Sequence, residues 1–165
     1  MILGISIGTF TAVHVAISLI GIGSGFIVLF GLLKGNLVNF WNGLFLVTTI
    51  LTSVTGFFFP FTKVTPGIIL GVLSLIVLAI ALLALYGFHL RGGWRRTYAI
   101  TAMIAQYFNV FVLIAQMFMK VPTLHALAPT GTEAPFKIAQ LLLLVIFIFL
   151  ITLAGKRFHS TLVQP

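Results

Sequence analysis

Long uncharged, mostly apolar stretches alternate with short basic clusters along the chain: no Asp, Glu, Lys or Arg occurs over 1–33, 35–62, 64–90, 97–119 or 138–155. A helix needs about 20 residues to cross roughly 30 Å of hydrocarbon at about 1.5 Å per residue. Each interval is long enough, the last only just. The pattern predicts an all-α integral membrane bundle of five transmembrane helices, near Thr9 to Leu33, Phe40 to Phe59, Pro66 to Leu90, Thr97 to Lys120 and Phe136 to Gly155, in a single domain over 1–165. A cleavable leader in place of the first span is disfavoured. The segment before it has no Lys or Arg, and its apolar run is longer than a leader's.

Polar positions within the spans recur at the helical period. Between helices in a bilayer, small residues allow close approach and polar side chains hydrogen-bond across, so such stripes mark packed faces. His14, Ser18, Gly21 and Gly25 fall in one arc of the first span; Asn42, Thr49, Thr52, Ser53 and Gly56 share a face of the second; Gln106, Asn109 and Gln116 share one of the fourth. The fifth has Gln140 and then no polar side chain from Leu141 to Ile151. Spans one, two and four are therefore expected to line a polar interior including Asn42, Thr49, Gln106 and Asn109, with the third completing it and the fifth peripheral. Asn109, near mid-span, must find a partner, because an unpaired amide in hydrocarbon costs several kcal/mol. Helix-to-helix hydrogen bonding with Gln106 and the threonines of the second span is its plain role.

Three connections are short, which makes consecutive helices antiparallel neighbours. The fourth, Val121 to Pro135, holds three prolines and reads as an ordered loop.

Composition sharpens this picture. The chain is 61% hydrophobic and 6% charged, with nine Lys or Arg against a single acid, Glu133. With five crossings, one side carries Lys34, Arg91, Arg95, Arg96, Lys156 and Arg157, and the other Lys63, Lys120 and Lys137. The positive-inside rule then places the N-terminus outside and the C-terminus in the cytoplasm. Membrane lipids are natural partners of the Arg91, Arg95, Arg96 cluster, which serves first as a topology determinant; nucleic acid is not expected.

The absence of cysteine removes disulfide and thiolate chemistry. No carboxylate lies within a span, which disfavours carboxylate relays, paired-carboxylate hydrolysis and Mg²⁺-dependent phosphoryl transfer. No catalytic residue is assigned, and an enzyme is the less expected outcome. The histidines remain. His14 and His89 fall near opposite faces, so they do not converge on one haem iron, and His159 reads as part of a solvated tail. If the outer loop folds back, His14, Gln116, His125 and Glu133 would form an outer-face cup. Its plain reading is a hydrogen-bonded interfacial histidine beneath a structural loop. Its functional reading is a ligand site for a small metal, b-type haem or quinone headgroup.

The run 110–136, VFVLIAQMFMKVPTLHALAPTGTEAPF, resembles a type of small uncharacterised bacterial multi-pass membrane protein, and the stretch 18–33, SLIGIGSGFIVLFGLL, behind His14 is similar to the first helix of the same proteins. A looser likeness to DoxX-like proteins lies in size, helix content and a lysine closing a span. These resemblances imply a bacterial inner-membrane location and carry no activity or site.

The leading expectation is a non-catalytic structural or accessory subunit that homo-oligomerises or joins a larger membrane complex. The alternatives are a bundle binding quinone or b-type haem near the outer face, and a small pore or carrier.

Overall fold

A computed structural model describes residues 1–2 and 4–160, with the side chains at 159 and 160 excepted; the expectation for the His159 side chain lies outside the described residues. The chain is helical, and no strand occurs among the described residues. Its helices are α1 (Ile7–Leu33), α2 (Asn39–Gly56), α3 (Pro66–Leu82), α4 (Trp94–Lys120), α5 (Pro122–Leu127) and α6 (Ala134–Ser160). A π-helical turn, Leu83–Gly87, extends α3.

Local chemistry sets the boundaries. Ser6 caps α1 by accepting from the Thr9 amide, and Thr65 does the same for the Ile68 amide at α3, where Pro66 fills the first helical position. Pro122 likewise opens α5, so part of the expected outer loop is a short helix. The α3–α4 connection is tight. His89 (φ 49°) and Leu90 (φ 55°) both adopt the left-handed backbone that side chains disfavour. The Leu90 amide bonds to Ala84 O, and the Phe88 ring stacks on Trp94 with centroids 3.9 Å apart.

Among the described residues, four helices are long and apolar enough to cross a membrane: Ile7–Leu33, Pro66–Gly87, Trp94–Lys120 and Ala134–Phe158. The expected second crossing, Phe40 to Phe59, corresponds to α2. This 18-residue helix carries Asn39, Asn42, Thr48, Thr49, Thr52, Ser53 and Thr55 and is not among the four. Three of these polar residues, Asn42, Thr49 and Thr55, supply its side-chain hydrogen bonds to α4 and α1.

Contacts at the two ends fix the packing directions. At one end Arg95, at the start of α4, reaches Gly35 O after α1 and Phe158 O near the end of α6. At the other, His14 of α1 meets Thr55 of α2, and Phe118 of α4 meets Phe136 of α6. Thus α2 runs antiparallel to α1 and parallel to α4, while α6 is antiparallel to α4. The main core forms near the Arg95 end around Val28, Leu32, Phe45, Leu78, Ala81, Tyr98, Ala102, Met103 and Phe158. A smaller cluster of Ile22, Val110 and Phe147 joins α1, α4 and α6.

The expectation of a peripheral last helix holds for one face only. Leu141, Leu142, Val145, Ile146, Ile148 and Phe149 are exposed, but Gln140, Phe147, Ala154 and Phe158 are buried, and α4 is the main neighbour of α6.

Candidate functional site

The expected interior polar residues come together in a column between α1, α2 and α4. Asn42, Thr49 and Gln106 are buried, and Asn109 is partly buried. Asn109 donates through Nδ2 to Thr49 Oγ1 at 3.1 Å, the pairing expected for a mid-span amide. Gln106 takes a different partner: its Nε2 donates to Ile22 O of α1 at 2.9 Å. That carbonyl already belongs to the α1 ladder, so the amide uses a second lone pair and needs no break in the helix. A Cβ at Gly25 would overlap the Gln106 amide, so the glycine is what admits Gln106 to this position.

Nearer the Arg95 end, Tyr98 donates its hydroxyl to Asn42 Oδ1, and both side chains are buried. The sequence reading missed Tyr98, although a tyrosine four residues into α4 facing the same direction as Thr101 and Ala105 carried a periodicity signal. Most helical hydroxyls here bond to their own helix. Ser18, Ser24, Thr48, Thr55, Thr101 and Thr152 each donate to the carbonyl four residues earlier. Thr52 Oγ1, Ser74 Oγ, Gln106 Oε1 and Gln140 Oε1 are buried without a hydrogen-bond partner among the described residues.

At the far end of the column, His14 Nδ1 lies 2.8 Å from Thr55 Oγ1. Thr55 has one hydroxyl proton and directs it to Leu51 O at 2.6 Å. Its oxygen is therefore an acceptor, and His14 must carry its proton on Nδ1, leaving Nε2 as the basic nitrogen of the neutral ring. The Phe59 ring packs edge-on against the imidazole at 5.2 Å, and Phe10 packs on Phe59.

No hydrogen bond among the described residues joins His14 to Gln116, His125 or Glu133. Gln116 and His125 are exposed. The Glu133 carboxylate binds within its own loop, accepting from the Thr130 amide, the Thr130 hydroxyl and the Thr132 amide. These donors, the Thr130 hydroxyl first, pull its pKa down to about 2. Glu133 also begins α6, its carbonyl accepting from the Lys137 amide. Among the described residues, no three His, Cys, Asp or Glu side chains are grouped to hold a metal ion.

At the opposite end, Arg95 and Arg157 bind backbone carbonyls at helix C-termini. Arg95 reaches Phe158 O and Gly35 O and lies 4.0 Å above the Phe158 ring, and Arg157 donates to Leu33 O. Cations are favoured there because terminal carbonyls lack helical partners and carry the negative end of the helix dipole. Lys34, Arg91, Arg96 and Lys156 are exposed.

Comparison with protein-family models, curated proteins and solved structures returned no match to the chain. The chain's own residues form a helical bundle of membrane type in which Asn42, Thr49, Gln106 and Asn109 bind across helices to side chains or a helix carbonyl.

Proposed function

We propose that the chain is a bacterial inner-membrane protein that crosses the bilayer five times, N-terminus outside and C-terminus cytoplasmic, and serves as a non-catalytic structural or accessory subunit of a membrane assembly. The observation that carries the reading is the use made of the interior polar groups. Asn42, Thr49, Gln106 and Asn109 are engaged in helix-to-helix hydrogen bonds, as packing requires. Meanwhile α6 turns a continuous apolar face outward, from Leu141 to Phe149, suited to lipid or to a neighbouring subunit. Supporting five crossings, α2 packs against α1 up to the His14–Thr55 contact, and six of the nine cations fall at the Arg95 end.

Purification under native conditions is expected to yield an oligomer or a co-purifying chain; a consistent lone monomer overturns the subunit reading. The crossing number has a separate test, because the chain has no native cysteine. Asn36→Cys and Lys63→Cys should label from opposite sides with a membrane-impermeant maleimide. Labelling of both from one side removes the crossing by α2.

A second reading is favoured by the His14 geometry. With Nδ1 committed to Thr55, Nε2 is oriented as an acceptor or metal ligand, the arrangement in which a second hydrogen bond fixes a ligating imidazole. It suits a b-type haem or quinol hydroxyl near the outer face. His14→Ala should then remove a chromophore or quinone that co-purifies with the chain, and unchanged ligand content discards it.

A further inference from the structure

Where α4 packs on α6, a groove of about 350 Å³ opens at the surface of the bundle, walled by Tyr107 and Phe108 of α4 and by Leu144, Phe147, Ile148 and Thr152 of α6. Three of these walls are aromatic. The Tyr107 ring lies 5.7 Å from Phe108 and 5.6 Å from Phe147, centroid to centroid. Its hydroxyl makes no hydrogen bond among the described residues. Thr152 directs its own proton to Ile148 O at 2.7 Å, so the uncommitted proton on these walls is that of Tyr107.

Tyr107 stands thirteen residues from either end of α4, Trp94–Lys120. With α4 crossing the bilayer, the phenol lies near the middle of the hydrocarbon, where an unpaired hydroxyl is costly because no water reaches it. An acceptor that enters from the lipid removes that cost. A phospholipid holds its oxygens at the interface, about 15 Å from the midplane of a core roughly 30 Å thick, and brings only methylenes to this depth. A second copy presents at mid-span the exposed Leu19 and Ile20 of α1, Val47 of α2, Ile76 of α3 and Val145 of α6, none of which has a side-chain acceptor. A lipid-soluble molecule with a carbonyl on a flat ring meets both demands: the ring suits aromatic walls, and the carbonyl accepts from the phenol.

We infer that the α4–α6 groove at Tyr107 is a mid-bilayer site for a lipid-soluble quinone, with a ring carbonyl accepting from the Tyr107 hydroxyl. The site rests on the crossing by α4 and is separate from His14, which meets Thr55 at the outer end of α1.

The test is titration of the full chain in micelles with decylubiquinone, the carbonyl stretch of the bound quinone being read by infrared difference spectroscopy. Saturable binding with a downshifted carbonyl band is expected. Tyr107→Phe keeps the ring and removes the donor, so the downshift should vanish and the dissociation constant rise about fivefold, the worth of one ordinary hydrogen bond. Decylbenzene, which has no carbonyl, should bind the unaltered chain and Tyr107→Phe equally. Ile148 is 56% exposed, so Ile148→Trp adds bulk to the groove from the lipid side and should weaken binding of both probes; it supplies the test should Tyr107→Phe fail to fold. Absence of saturable binding overturns the proposal, as does a downshift that survives Tyr107→Phe or an affinity unchanged by Ile148→Trp. Loss of binding in His14→Ala, with Tyr107→Phe unaffected, places the quinone at the histidine and likewise overturns it. So does a dimer of the unaltered chain that Tyr107→Phe dissociates, because a second copy then fills the groove.

Discussion

Gln106 on α4 occupies the space that a side chain at Gly25 on α1 would need. Its amide nitrogen donates to Ile22 O, and its oxygen lies over the glycine backbone. The buried oxygen has no conventional donor among the described residues; the Cα hydrogen of Gly25 that a Cβ would replace points at it, a weak contact recurrent at close helix crossings.

Gly25→Ala should therefore destabilise the bundle by about 1–3 kcal/mol, the usual cost of forcing extra volume into a packed site. Gly23→Ala, where a Cβ meets nothing within 4 Å, is the matched control and should cost nothing. Thermal unfolding in detergent checks both. If the overlap with Gln106 is the cause, Gly25→Ala should cost much less in a Gln106→Ala background, the non-additivity expected of touching residues.

Two buried hydroxyls should respond in opposite senses to alanine. Thr49 accepts from Asn109, so Thr49→Ala leaves a mid-span amide short of a partner and should cost about 0.6–2 kcal/mol. The Ser74 hydroxyl has no partner among the described residues, so Ser74→Ala should be neutral or stabilising. The same unfolding assay distinguishes them, and a clear loss in Ser74→Ala would show that its hydroxyl is bonded.

Arg95 joins three helix ends through two carbonyls and an aromatic face. Lysine keeps the charge but lacks the planar fork, so Arg95→Lys should lose most of what Arg95→Ala loses, about 1.5–3 kcal/mol. Proteolysis near residue 158 should accelerate in both variants, because Phe158 is held between Arg95 and Tyr98.

The pH response of the loop that carries Glu133 has a definite sign. Glu133 titrates at about 2, below its ordinary value of 4.5, because Thr130 and Thr132 donate to its charged form. Its contribution to loop order is complete above the ordinary carboxylate range and is lost as pH falls through that range toward about 2. Thr130→Val removes the hydroxyl donor and should move the titration upward. Carboxyl-labelled glutamate reports this directly, since Glu133 is the only glutamate in the chain.

Much of the architecture was legible because hydrocarbon allows few solutions. Uncharged intervals had to be helices, and Asn109 had to find a partner. The expected 66–90 helix instead gives way to a π-turn at Leu83 and left-handed residues at His89 and Leu90. No breaker residue announces that change before Gly87. The last helix runs past Gly155 to Ser160, where Arg95 supplies from α4 the donor its terminal carbonyls need. The loop contacts of Glu133 were not legible in the sequence. Spacing could bring His125 and Glu133 into the same loop as Lys120, but it could not show that Thr130 and Thr132 would claim the carboxylate first.

By itself, the sequence determined that the chain is a bundle of helices long and apolar enough to cross a membrane, and which faces of those helices carry amides, hydroxyls and glycines, because periodicity and charge spacing are local properties. Only the tertiary structure decided the pairings: Asn42 with Tyr98, Gln106 with Ile22 beneath Gly25, and His14 with Thr55. Each joins residues 41 to 84 positions apart. Which hydroxyl or carbonyl an amide reaches depends on helix order, direction and register, and those are set by packing the whole bundle.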